Sequence, residues 1–308
     1  MARPSRQFDG LPGVWLIRRR VHIGVLVPNS GPLPLELGIP TMARHAEEAG
    51  FASLWVSDHI VLPTSMDSHY PFAADGKATW PATTPYVDAL VALGLMAAVT
   101  ARATLGTAVL VLPLRHPVVF AKQAASLDVA SGGRLCLGVG AGWLREEFEA
   151  LNVPFEDRGN RLVEWMEIAR DCWSGRPAAR SSERYTLPEG VLCLPTPTGE
   201  IPFLMGGHSP PALSRAGWIA DGWLAQQALP ALDPDALAAG AAAMRAAAEE
   251  AGRDPGACRV VLRLVDSAGR ADEVAAAVPA LEAAGVEELV ANVDWEADLG
   301  EQYRRLAG

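Results

Sequence analysis

Val21-His22-Ile23-Gly24-Val25-Leu26-Val27-Pro28-Asn29-Ser30-Gly31-Pro32 is the first regular stretch of the chain. An apolar, β-branched run breaks sharply into proline, asparagine and glycine, which reads as a buried strand followed by a turn. A doubly wound dinucleotide fold would place a G-x-G-x-x-G turn here, with the second glycine open to a pyrophosphate. Pro28–Pro32 lacks that spacing. An alternating α/β chain without the fingerprint favours the closed alternative, a barrel.

Working outward, short apolar runs continue to alternate with helical patterns. Strands are expected at Ser53–Val56, Thr104–Leu110, Leu135–Val139, Phe203–Leu204, Gly222–Leu224, Arg259–Leu264 and Leu289–Ala291. They are almost continuously apolar, as parallel strands buried on both faces must be. Helices are expected at Leu35–Ala49, Tyr86–Val99, Val118–Ala130, Arg161–Trp173, Pro211–Gly217, Asp235–Ala251, Ala271–Ala284 and Ala297–Leu306. Gly50 stands where a left-handed helix cap belongs. The Ala-rich segment 236–251 reads as a plain surface helix. Eight strand–helix pairs predict a (β/α)8 TIM-like barrel over residues 21–308 as a single domain, after an irregular tail at 1–20. Two connections are long: Ile60–Pro85, which carries Tyr70, Phe72 and Trp80, and Gly175–Ile201. They are read as insertions after strand 2 and before strand 5. The first lies at the C-terminal rim, where barrel active sites sit.

Composition bounds the chemistry. The chain has 308 residues, half of them hydrophobic, and a formal charge of −10. Such an acidic protein is a poor non-specific nucleic-acid binder. Only Lys77 and Lys122 are lysines, which leaves few candidates for Schiff-base chemistry. Cys136, Cys172, Cys193 and Cys258 show no C-x-x-C spacing, and the six histidines show no H-x-x-x-H, so no metal site is expected. No run approaches the roughly 18–20 apolar residues of a membrane span, and no signal peptide is apparent, so a cytoplasmic protein is expected.

Several strand ends carry polar or glycine-rich groups. Trp55-Val56-Ser57-Asp58-His59 runs an apolar strand into an acid and a histidine. The pair suits proton transfer, with Asp58 orienting His59, or else Asp58 caps a turn and His59 is a structural histidine. Leu105–Pro117 ends in Arg115 and His116; it is either a cofactor contact or an ordinary start of a helix at Pro117. Gly138-Val139-Gly140-Ala141-Gly142-Trp143 exposes backbone N–H groups that suit an anion or a flat ring, or simply forms a tight turn. Gly206-Gly207-His208-Ser209 precedes a helix that Ser209 can cap and whose N-terminus suits a phosphate. Arg158 is read first as a partner of Glu156 and Asp157, and second as a contact for an anionic ligand.

In this order and spacing, these segments resemble the luciferase-like monooxygenase superfamily, and within it the coenzyme F420-dependent oxidoreductases. Further landmarks are Glu48-Ala49-Gly50-Phe51, Leu114-Arg115-His116-Pro117, Gly132-Gly133-Arg134 and Ala220-Asp221-Gly222-Trp223. The resemblance implies a TIM-like barrel, often dimeric, with a flavin or deazaflavin ring at the C-terminal rim. The ring would lie against the end of strand 3, at Thr107, Ala108 and Val109, where relatives carry a non-prolyl cis peptide. The cofactor phosphate would meet Gly140–Gly142, beside Trp143, and Gly206, Gly207, His208 and Ser209. Asp58 and His59 match the family's active-site pair, with Asp58 orienting His59 or contacting the cofactor. Sugar-phosphate dehydrogenases of this branch carry a glutamate where this chain has Trp143, and they use lysines for substrate phosphate. The resemblance therefore implies hydride transfer between F420 and a small apolar or aromatic substrate. The alternatives are an FMN-dependent monooxygenase and a non-catalytic ligand-binding barrel.

Overall fold

A computed structural model describes residues 21–73, 75–78 and 80–308. The tail expected at 1–20 lies outside the described residues. Eight parallel strands close a barrel: β1 (His22–Leu26), β2 (Ser53–Val56), β3 (Thr104–Val111), β4 (Leu135–Gly140), β5 (Phe203–Gly206), β6 (Gly222–Ala228), β7 (Arg259–Val265) and β8 (Glu288–Ala291). Each strand pairs with its sequence neighbour, and β8 returns to β1 with Gly24 opposite Val290.

The helices are α1 (Ile39–Ala49), α2 (Ala89–Ala97), α3 (Pro117–Ser131), α4 (Arg145–Ala150), α5 (Arg158–Trp173), α6 (Pro210–Ile219), α7 (Pro234–Glu250), α8 (Ala271–Ala283) and α9 (Leu299–Ala307). All eight expected strands and helices are present, and α4 is an addition. α1 starts later than expected because Gly38, at φ 80°, separates it from a π-helical turn at Pro34–Gly38. α2 also starts late. Val87 donates its N–H to Asn29 O (2.8 Å) instead of entering the helix, and Asp88 caps Leu90 N and Val91 N.

Side-chain alternation splits the core into two shells. One residue from every strand fills the barrel: Leu26, Trp55, Ala108, Cys136, Leu204, Leu224, Val261 and Val290. The opposite faces pack under the helices in a larger cluster. Gly106 is required here, because a Cβ would stand 2.3 Å from the Trp55 ring. The barrel floor is polar: Trp55 Nε1 donates to Glu288 Oε1 (3.0 Å), and Arg259 Nη2 to Glu288 Oε2 (3.1 Å). All four cysteines are buried, and burial pushes the Cys136 and Cys172 thiols up to about 12. They behave as small hydrophobes.

The two insertions sit where expected. Between β2 and α2 the chain forms no regular helix or strand among the described residues, and a bridge of Tyr86 to Ser30 ties down its end. Before β5 lies a short hairpin of Arg180–Ser181 and Thr186–Leu187. No described helix is long and apolar enough to cross a membrane, and no cluster of potential metal ligands occurs among the described residues.

Candidate active site

Parallel strands deliver their C-terminal ends to one rim, and the side chains there are free of the ladder. At the end of β2, Ser57, Asp58 and His59 leave the barrel in three directions. Ser57 is held by Asn29, whose Oδ1 accepts from Ser57 N and Oγ (3.1 Å each) and whose Nδ2 donates to Ser57 O and Val87 O (2.8 Å each). Asn29 thereby anchors both ends of the first insertion.

Asp58 turns away from His59. Its Oδ1 pairs with Arg115 Nη2 (2.6 Å) and its Oδ2 accepts from Val111 N (2.9 Å), while Arg115 also binds Asp88 at 3.0 Å. Burial raises the Asp58 carboxyl, against the opposing pull of Arg115 and the Val111 N–H. The expectation that Asp58 orients His59 is therefore corrected: both carboxylate oxygens are committed elsewhere.

That role falls to Glu147 on α4. His59 Nδ1 lies 2.9 Å from Glu147 Oε2, and Ile60 N (2.6 Å) and Val61 N (3.3 Å) donate to Glu147 Oε1. His59 is 8% exposed and Glu147 1%. The adjacent Glu146 grips the insertion further along, accepting from Asp67 N (2.7 Å) and from Ser68 N (3.0 Å) and Oγ (2.6 Å). Two successive carboxylates on one short helix thus clamp the loop that covers the rim. Glu147 thus brings a carboxylate to the rim four residues after Trp143.

The His59 ring faces aromatic walls. Tyr86, Trp80 and Trp143 lie with centroids 5.4, 6.1 and 6.1 Å away. Tyr70 packs on Trp143 (5.0 Å) and Trp80 (5.2 Å), and Phe72 on His208 (6.0 Å). The aromatic residues of the insertion therefore form a cover over the barrel mouth.

The Ala108–Val109 peptide is cis, at a register shift between Thr107 and Leu110. Thr107 is buried, with Oγ1 donating to Gly138 O (2.7 Å). The Val109 side chain leans over both glycine turns: a Cβ on Gly140 would meet its Cγ2 at 2.7 Å, and one on Gly206 its Cγ1 at 2.8 Å. Gly142 and Gly207 have φ values of +84° and +114°. The Ala108–Val109 segment, Gly140–Gly142 and Gly206–Gly207 thus form one continuous surface. Ser209 stands at the cap position of α6 but makes no side-chain capping bond, and Pro210 and Pro211 carry no N–H. Donors for an anion would therefore be the N–H groups of Gly207, His208 and Ser209, which bond to no other backbone group among the described residues. His208 Nε2 accepts from Gln226 N (3.0 Å), and burial holds its imidazole below its ordinary range.

Arg263 enters the mouth from β7, one layer above Val261. It donates from Nη1 to Ala108 O, and no described carboxylate pairs with it. Its Nε and the Trp80 Nε1 are buried without partners. Buried donors left over in this way call for an acceptor-bearing group. A flat ring edged with carbonyls and ring nitrogens fits that need, with the glycine turns beside it for a phosphate.

The family model described as "Luciferase-like monooxygenase" matches residues 38–306. The chain belongs to the luciferase-like monooxygenase family. An uncharacterised protein of Mycobacterium tuberculosis is 38% identical over 212 residues, 69% of this chain and 72% of the relative. The F420-dependent glucose-6-phosphate dehydrogenase of Nakamurella multipartita is 33% identical over 222 residues, covering 69% of this chain and 58% of that protein. An F420-dependent secondary alcohol dehydrogenase, solved with an F420–acetone adduct, superposes with a TM-score of 0.75 at 18% identity, over 93% of this chain and 99% of that one. This last likeness concerns the fold.

Within this luciferase-like barrel, the sequence signals for Asp58, His59, Thr107–Val109 and both glycine turns meet at one rim. Glu147, Asn29, Arg115 and Arg263 complete it. Arg158 departs from its first reading. Its Nε donates to Gly142 O (2.9 Å), while Glu156 pairs with Arg145 and Asp157 with Arg184.

Proposed function

We propose that this luciferase-like oxidoreductase uses the deazaflavin F420 and exchanges hydride with a small apolar or aromatic substrate. The observation that carries the reading is the buried His59–Glu147 pair, set among aromatic rings at the same rim as the Ala108–Val109 surface.

Bound at that surface, the deazaflavin would supply or accept the hydride. Thr107–Val109 would back its ring, and the backbone N–H groups of Gly140–Trp143 and Gly206–Ser209 would take its phosphate. Arg263 and Trp80 would donate to its acceptor atoms or to those of the substrate. His59 then manages the proton that accompanies hydride. Glu147 accepts the Nδ1–H and fixes the tautomer, which turns Nε2 into the proton-carrying atom. Tyr70, Phe72, Trp80, Tyr86 and Trp143 exclude water and offer an apolar wall to the substrate. The F420-dependent dehydrogenases among the relatives support deazaflavin over FMN.

Titration of the purified protein with F420 and with FMN separately tests the reading. Saturable binding of F420, with weaker or no binding of FMN, is expected. Tight FMN binding without F420 binding would turn the assignment to an oxygen-using flavin monooxygenase. Binding of neither would favour a non-catalytic barrel.

A further inference from the structure

The apolar layer that fills the barrel is followed, one step up β6 and β7, by a polar one. Leu224 and Val261 point into the barrel, so Gln226 and Arg263, two residues further along the same strands, point into its mouth. The two are register partners. Arg263 donates from Nη1 to Ala108 O, its Nε is buried without a partner, and no carboxylate among the described residues forms an ion pair with it. Burial pushes its guanidinium below the ordinary range, and the groups that oppose this are the hydroxyls of Tyr70 and Tyr86. Asp266, the nearest acid along the chain, is exposed.

A second donor is left over nearby. Trp80 Nε1, in the insertion that covers the mouth, is also buried without a partner. The Trp80 ring lies 5.2 Å from Tyr70 and 6.1 Å from His59, and the Tyr86 ring lies 5.4 Å from His59. The rings that neighbour Arg263 are therefore the ones that wall in His59, which places the cation in the compartment where the proton is handled. A neutral carbonyl would satisfy the spare N–H groups but leave the charge unmatched. A cation taken out of water without a counter-ion is costly, and an anion removes that cost. The planar guanidinium fork matches a carboxylate best.

We propose that Arg263, helped by Trp80 Nε1, receives a carboxylate carried by the substrate, so that the apolar or aromatic molecule on which the enzyme acts is an organic acid. The inference rests on the oxidoreductase reading and deepens it by naming the substrate class. The aromatic cover would hold the apolar frame of the acid, and the Arg263–carboxylate pair would fix its orientation toward His59.

Calorimetric titration of the protein, free and loaded with F420, tests it with benzoate, benzamide and benzyl alcohol as probes. Benzoate is expected to bind roughly tenfold or more tightly than the two neutral probes in both forms, the worth of a charge-assisted bond. Arg263→Gln should abolish that preference without lowering the melting temperature, because no ion pair of the folded chain is lost. Arg263→Lys keeps the charge without the fork and should retain part of the preference. No measurable binding of benzoate, equal affinities for the three probes, or a preference that survives in Arg263→Gln would overturn the proposal and leave the deazaflavin reading intact. Loss of benzoate binding on loading with F420 would assign the cation to the ring and overturn the substrate class. A preference that depends on Arg263 in a protein that binds no F420 would uphold the acid receptor and overturn the deazaflavin reading.

Discussion

His59 Nδ1 lies 2.9 Å from Glu147 Oε2, although 88 positions separate the two residues. The same carboxylate accepts the N–H groups of Ile60 and Val61, so it sets the ring and the backbone that carries it. Glu147 is therefore a positioning residue for His59. Replacing it by glutamine keeps an acceptor but removes the charge. Loss of one charge-assisted bond of about 1.5–3 kcal/mol corresponds to roughly 10–100-fold in rate. Glu147→Gln should lower kcat by that order while KM and the cofactor Kd hold. A variant whose KM rises with kcat unchanged would reduce Glu147 to a structural clamp.

His59 itself carries the proton in this scheme. His59→Ala should cost about 10²–10⁴-fold in kcat, the usual span for a lost general acid or base. Cofactor affinity should survive, because the ring surface is built from β3 and the glycine turns. Steady-state kinetics beside a binding titration separates the two effects, and unchanged turnover would remove His59 from the chemistry.

Asp58 calls for the opposite expectation. It is 4% exposed, and both its oxygens serve Arg115 and Val111 N, which joins the end of β2 to the end of β3. Breaking a buried ion pair on one side costs about 3–5 kcal/mol. Asp58→Asn should fall toward the lower part of that range, because Arg115 retains Asp88 and the amide oxygen can still accept from Val111 N. Urea denaturation should show an earlier midpoint with an unchanged slope. Wild-type stability with abolished turnover would instead return Asp58 to the reaction.

The barrel was legible because parallel strands are buried on both faces. Their apolar runs, ended by turn residues, show in the sequence whatever the packing. The site was legible only where function coincides with a strand end, as at Asp58-His59 and Gly140-Ala141-Gly142. Glu147 was hidden because α4 is six residues long, too short to establish a period, and because its partner His59 lies 88 positions earlier, at the end of β2. The expected bond between Asp58 and His59 is missing for the same reason: adjacency in sequence favoured His59, whereas closure of the barrel brought Arg115 from 57 residues away.

Val109 is wedged between two glycines from adjacent strands. Gly206→Ala would bring a Cβ to 2.8 Å from Val109 Cγ1, well inside contact distance. Overpacking of this kind typically costs about 1–3 kcal/mol, and here it pushes on the surface assigned to the cofactor ring. Gly206→Ala should weaken both folding and cofactor binding. Val109→Ala in the same chain should relieve much of the loss, which a double-mutant cycle measures. Additive losses would mean that the strain lies elsewhere.

His208 gives the pH dependence a sign. Its Nε2 accepts from Gln226 N at 3.0 Å, and burial lowers its folded pKa below the ordinary value of about 6.5. Above about 6.5 the imidazole is neutral in both folded and unfolded chains, and its full contribution to stability is present. As the pH falls through the interval down to the folded value, the unfolded chain takes up a proton that the folded chain refuses. Stability then declines, by at most about 1.4 kcal/mol per pH unit for this one group, and the decline ends below the folded pKa. His208→Gln should therefore leave a shallower loss of stability between pH 6.5 and 5 than the wild type, measured by urea denaturation at each pH. Parallel stability profiles for the two proteins would show that protonation of His208 is not coupled to the fold.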